Sequence, residues 1–355
     1  MAKRRDNYAV LVTGSSGFVG QHMVGLLQTN ADHVTEIRVL DIVPYENKTD
    51  YESTKPVKQF VGSILDSELV QEACTGVSCV IHLASLIDVS LFPDEKKCYQ
   101  VNVEGTRTII EACKKTGVER LLYCSSADVV IGNDGVFDAT EDDTEYPKEN
   151  FFPVYGKTKQ YAEELVLNAN CSTLKTVSIR PVAIYGDYDW KNIAPMFGSA
   201  FTKKTGYYMK LVLTFKKSDY VYAGNVASAF IQTDIALRTK GSSDIAGTSY
   251  FIKDDTPRNE RVEFFDPILE ECNLKPFPLS PKAWMILAFL RILFPVLTLL
   301  SFVCHVNCPF GRWVFHVCDL TRLVKDDKAR RILRYKPIFD EEQIKRRLVK
   351  FIKSL

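Results

Sequence analysis

The stretch "YAVLVTGSSGFVGQHMVGLLQ", Tyr8 to Gln28, decides the fold. An apolar strand-like run leads into "TGSSGFVG", and a helical pattern follows at once in "QHMVGLLQ". Three glycines punctuate the junction. Gly14 permits the tight turn, Gly17 lets backbone amides approach a pyrophosphate, and Gly20 lets the helix pack closely on the strand, with Ser15, Phe18 and Val19 completing the loop. A glycine triplet alone is weak grounds for a site. Here strand and helix lie where the motif needs them, which favours a dinucleotide-binding turn over a chance glycine turn.

Working outward, "EIRVLDIV", "VKQFVG", "SCVIHLA", "RLLYCSS" and "TVSIRP" repeat the strand pattern, with helical stretches between them. Strand alternating with helix predicts right-handed crossovers and an α/β fold with a doubly wound parallel sheet of Rossmann type. Asp41 closes the second strand-like run. A carboxylate there accepts hydrogen bonds from ribose hydroxyls and repels a 2′-phosphate, so NAD is expected over NADP, although Arg38 lies close by.

Composition removes other classes. With 45 basic and 44 acidic residues in 355, the net charge is +1, and no bulk field favours nucleic acid. The ten cysteines show no metal-ligand or redox-pair spacing, as expected for reduced thiols with no metal site. The start, "MAKRRDNYAVLVTG", passes from basic residues directly into the strand pattern, so a secretory signal is not expected.

The chemistry is expected in "FFPVYGKTKQYAEELVLNA", a Pro-bounded helix that places Tyr155 and Lys159 four residues apart on one face. A phenol normally ionises near pH ~10; an adjacent ammonium and a positive nicotinamide favour the phenolate, which can then take an alcohol proton. Spacing alone does not distinguish this pair from a solvated helix face. The added weight comes from "LLYCSSADVV", whose Ser125 and Ser126 follow the fifth strand, at the edge where open parallel sheets bind ligands.

Taken in order, "TGSSGFVG", "NVEGT", "SSADVV", "YGKTK" and "RPVAIYG" resemble the extended short-chain dehydrogenase/reductase superfamily across essentially the whole chain. The resemblance implies Ser126 as the catalytic serine, Tyr155 as general acid or base, and Lys159 as the residue that binds the nicotinamide ribose and lowers the tyrosine pKa. It also implies nicotinamide-side contacts from Asn102 and Val182 and an adenine contact from Ile64. Ser63 stands where such enzymes often carry Asp, which puts the adenine amino contact in doubt. His82, ending a strand, is expected to be structural. A homodimer is suggested by resemblance only.

Beyond Gly186 the alternation fades, so residues 1–186 are expected to form the NAD-binding domain and 187–355 a smaller substrate lobe. "DYVYAGNVASAFI" and "SYFIKDDTPRN" narrow the resemblance to the 3β-hydroxysteroid dehydrogenase branch, which implies a steroid or sterol substrate, 3β-hydroxyl oxidation and, in some relatives, a Δ5 to Δ4 isomerisation. The apolar run "WMILAFLRILFPVLTLLSFV", Trp284 to Val303, fits this substrate. Its length just suffices to cross a hydrocarbon core of ~30 Å. Arg291 and Pro295 burden a full span, and a buried core helix would need protein contacts nearly all round. An interfacial helix, with Arg291 snorkelling and Trp284 anchoring, is the preferred form of lipid contact over segment 284–306, on a cytoplasmic-facing membrane such as the endoplasmic reticulum. The tail from Asp340 is an amphipathic helix with Ile344, Leu348, Phe351 and Leu355 on one face, open to packing on the domain or to lipid. Two other functions remain open on sequence: a nucleotide-sugar epimerase or dehydratase, and a non-catalytic NAD-binding or membrane scaffold.

Overall fold

The structure, a computed structural model, describes residues 8–191, 193–208, 216–239, 244–256, 261–279 and 281–355. Seven strands form its central sheet: β1 Ala9–Thr13, β2 Glu36–Asp41, β3 Val57–Val61, β4 Cys79–His82, β5 Arg120–Cys124, β6 Lys175–Pro181 and β7 Thr248–Ile252. The spatial order is β7-β6-β5-β4-β1-β2-β3, and every pairing is parallel. The order reverses between β1 and β4, which opens a crevice at their carboxyl ends. This is the expected α/β, doubly wound arrangement.

Helices cover both faces because the strands are apolar on both. All five residues of β1 are buried; Val10 and Val12 join one core cluster, Ala9 and Leu11 the other, as strand alternation requires. The first cluster includes Met23, Leu26 and Leu27 of α1 (Phe18–Thr29) and Phe230 of a helix at Ala223–Thr239. The second takes Val70 from a helix at Ser67–Cys74, Ile109 and Cys113 from α2 (Gly105–Thr116), and Ala162 and Val166 from α3 (Pro153–Asn168).

Residue 186 is not a spatial boundary. β7 begins one residue before "SYFIKDDTPRN" and runs into it, a stretch whose sequence suggested kinship rather than a strand, and it pairs with β6 from Thr248–Val177 to Ile252–Pro181. The second half of the chain thus covers the sheet edge that β6 would otherwise leave unpaired.

In that second half, Thr321–Val324 pairs in parallel with Val136–Ala139 and with Lys217–Ser218. The tail forms a helix at Glu341–Ser354, opened by a capping box between Asp340 and Gln343. Ile344, Leu348 and Phe351 are buried in a cluster with Tyr222 and Phe265, and Leu355 packs against its edge. That apolar face therefore packs on protein.

The apolar run folds as α4, Ala283–Leu300, with mean hydropathy 2.2, long and apolar enough to cross a membrane by length and composition. Only 11% of it is buried. Leu290 and Phe294 pack with Val314, flanked by Ile286, Leu293, Leu91, Trp313 and Phe315. The opposite side is bare: Ile292 is 72% exposed, and Phe302 just past the helix 82%. The buried-core alternative for this segment does not hold. Pro295 is accommodated inside the helix, and the Arg291 guanidinium sits 5.9 Å from the Phe315 ring centre.

Candidate active site

Proline at the first turn starts α3, and its fixed φ suits that position. One turn apart on the same face, Tyr155 and Lys159 are both buried, and Glu163 continues the row. The Lys159 ammonium donates to the Cys124 carbonyl at 2.6 Å and lies 4.3 Å from the centre of the Tyr123 ring. Burial pulls Lys159 down to about 8, against the opposing influence of Cys124 and Glu163. Burial would raise Glu163, but Arg180 at 2.6 Å and the Ser178 hydroxyl at 2.6 Å hold its carboxyl below the usual range.

Ser126 caps a short helical turn, Ala127–Val130. Its hydroxyl donates to Asp128 Oδ2 at 2.9 Å and accepts the Asp128 backbone N–H at 3.1 Å. The Ser126 hydroxyl lies close enough to the Tyr155 phenol to favour its ionisation, which puts both hydroxyls on one side of the crevice, above the end of β5. Ser125 ties the turn to β6 through its N–H and the Ile179 carbonyl at 2.7 Å.

Without the positive nicotinamide, the surroundings of the phenol disfavour its ionisation. Burial, then Asp128 and the Cys124 thiol, push Tyr155 far above the ordinary phenol value, while Ser126 and Arg322 oppose them. Its resting form is the neutral phenol. Lys159, meanwhile, donates a hydrogen bond to the Cys124 carbonyl. The physical reason is desolvation, which outweighs one ammonium held a helical turn away.

The glycine loop is built to admit a ligand. A Cβ on Gly20 would stand 2.2 Å from the Gly14 carbonyl oxygen, and Gly14 itself has φ +71°. Among the described residues no side chain caps α1 at Gly17, which leaves the helix start open to an anionic ligand. The buried Ser15 hydroxyl finds no partner among the described residues. Asp41 accepts the Ser16 N–H at 2.9 Å, bracing the loop from the end of β2.

Other expected contacts have visible structural duties. Ile64 is buried under α2, where a Cβ on Gly105 would meet its Cδ1 at 2.4 Å. Asn102 accepts the Leu86 N–H at 2.7 Å and donates to the Leu86 carbonyl at 2.9 Å and to Thr158 at 3.0 Å, clamping the loop after β4 to α3. Val182 is buried, its N–H bonded to Ile252. His82 uses both ring nitrogens on Thr13 and Thr106 hydroxyls, and burial, helped by Lys159, pulls it down to about 3. It is a neutral structural histidine.

A cavity of about 360 Å³ opens beside the start of α3, walled by the loop after β4, by Phe152 and Val154, and by Trp313 and His316 from the segment that follows α4. Leu91 and Trp313 face this cavity and also meet the inner stripe of α4. Sequence reasoning missed these walls and missed Asp128 and Arg322. An Asp two residues beyond a capping serine is a local cue for Asp128; no local pattern could place Arg322.

Residues 11–278 match the profile of the 3-beta hydroxysteroid dehydrogenase/isomerase family. In fold, the chain is similar to an epimerase from Methanothermobacter thermautotrophicus, at 21% identity, TM-score 0.70, covering 98% of this chain and 93% of that one. It is also similar to a UDP-glucuronic acid 4-epimerase mutant from Bacillus cereus in complex with UDP-4-deoxy-4-fluoro-glucuronic acid and NAD (18% identity, TM-score 0.69, 98% and 99% covered). A third is UDP-glucose 4-epimerase from Thermus thermophilus in complex with NAD (21%, 0.66, 97% and 99%).

Proposed function

Because the chain belongs to the 3-beta hydroxysteroid dehydrogenase/isomerase family, we propose that it is an NAD-dependent oxidoreductase that oxidises a 3β-hydroxyl group on a steroid or sterol to the ketone. The cofactor half of this reading is supported by the glycine cradle, the unpartnered Ser15 hydroxyl and the Asp41 carboxylate, which suit a pyrophosphate and a ribose with free hydroxyls. When bound, the dinucleotide supplies the hydride acceptor. Ser126 holds the substrate oxygen, and Tyr155 takes the hydroxyl proton in oxidation and returns it in reduction. Taking that proton requires the phenolate, whose formation burial disfavours, so oxidation gains from rising pH and reduction loses over the same range.

The observation that carries the substrate class is α4. One stripe of it rests on the walls of the cavity at the start of α3, lined as far as Val154, while the other faces outward and bare. A helix fastened lengthwise to the protein suits a monotopic anchor in the headgroup boundary, on the cytoplasmic face of the endoplasmic reticulum, better than a span. A sterol, which partitions into lipid, then reaches the cavity without crossing water. Δ5 to Δ4 isomerisation would need a further acid or base, which we do not assign.

A second reading, a nucleotide-sugar epimerase or dehydratase, uses the same first oxidation. Asp88, Glu95, Arg312 and His316 at the cavity are what favour it. Incubating the full-length chain in lipid vesicles with NAD and panels of 3β-hydroxysterols and nucleotide sugars, read by NADH formation and mass spectrometry, separates the two. Net NADH and a sterol ketone are expected, lowered about 10²- to 10⁴-fold by Tyr155→Phe. An epimerised sugar without net NADH would overturn the sterol reading.

A further inference from the structure

We propose that Asp128 and Arg322 form a positioning pair for the catalytic hydroxyls: Arg322 fixes the Asp128 carboxylate, which fixes where the Ser126 hydroxyl points and the field in which Tyr155 sits. The role rests on the reading above, in which Ser126 and Tyr155 meet the substrate oxygen.

The geometry is a continuous chain. The Ser126 hydroxyl, close enough to the Tyr155 phenol to favour its ionisation, donates to Asp128 Oδ2 at 2.9 Å, while Asp128 Oδ1 meets Arg322 Nη2 at 2.7 Å. Side-chain exposure is only 12% for Asp128 and 7% for Arg322. Removing one member of a buried ion pair leaves an uncompensated charge beside the other's neighbours. Arg322 arrives on Thr321–Val324, where it lies opposite Val136 in the small parallel sheet. The hydroxyls of the nucleotide-binding half are therefore oriented by a side chain from beyond α4.

An ordinary structural ion pair would not carry this role; contact with Ser126 distinguishes it. The charged and titratable groups around Tyr155 are Lys159 and Glu163 on its own helix, Tyr123 and Cys124 on β5, Asp128 on the turn after it, and Arg322 from the carboxyl-terminal strand. Among these, Asp128 opposes ionisation of the phenol and Arg322 favours it. Removing each should therefore displace the same titration in opposite directions, which a loss of stability alone does not do.

The test is the pH profile of kcat for oxidation by the full-length chain in vesicles. In Asp128→Asn the rising limb should move toward acid by about one pH unit, and in Arg322→Gln toward alkali by a similar amount. Arg322→Lys should return most of the displacement, with KM altered less than kcat throughout. Limbs that stay fixed, or move together, would overturn the pair. A crystal structure of Arg322→Gln reads the same claim whatever the substrate is. Loss of the Ser126–Asp128 hydrogen bond supports it, and retention of that bond at its original length refutes it. An inactive wild-type chain would count against the sterol reading, leaving the crystallographic readout to decide the pair.

Discussion

Two helices of this chain are rich in apolar residues and end in opposite surroundings. In α1, nine of twelve residues are buried, including Gln21, His22 and Gln28; in α4, two of eighteen are, although it is the more apolar helix. Hydrophobicity thus sets what a helix avoids, and the neighbouring elements set what covers it. α1 is enclosed by the sheet and by Ala223–Thr239, and its polar side chains find internal partners, as when Gln21 and Gln28 bind backbone groups of the loop after β2. α4 meets protein along a single stripe.

The largest effect that would sharpen the contrast is expected at Gly20. Val there would drive its Cβ into the Gly14 carbonyl, 2.2 Å away, so Gly20→Val should yield chain without nucleotide binding or a cooperative thermal transition. Next comes Met23, fully buried on α1, where Met23→Ala should cost about 2–5 kcal/mol in denaturant unfolding, while Ile292→Ala on the bare side of α4 should stay within about 0.5 kcal/mol. Equal costs at the two positions would break the comparison. For lipid, replacing Phe289, Ile292 and Leu299 together by Ser should weaken co-sedimentation with vesicles about 100-fold, near 3 kcal/mol, with little change in melting temperature. Undiminished vesicle binding would show that α4 faces something else.

The smallest effect concerns the interior. Burial holds Lys159 at about 8 in the fold, below its unfolded value, so the unfolded chain carries the extra proton between about 8 and 10. Stability from this group therefore rises as pH increases through that window, by at most about 1.4 kcal/mol per pH unit. The difference in melting temperature between the wild type and Lys159→Met should change across pH 8 to 10, and a constant difference would contradict it.

How far the sequence was legible follows the same division. β1 to β6, the glycine loop and the Tyr155–Lys159 face are local patterns of period two or four, and they fold as read. Ser126 stands beside Tyr155 because both lie at strand or helix ends that the parallel order brings together. What escaped notice depends on distant pairing. β7 is an ordinary short apolar run until β6 offers it an edge. Asn102 and Ile64 gave no sign of the loop and helix they brace. The neutral resting phenol reflects desolvation by many side chains at once, which no spacing of two residues conveys.

Because Arg322 follows α4 along the chain, a ribosome delivers the nucleotide cradle first, the greasy helix next and the guanidinium clamp last. During synthesis, the hydroxyl pair can acquire its final orientation only after α4 has emerged and had its opportunity to settle into a bilayer.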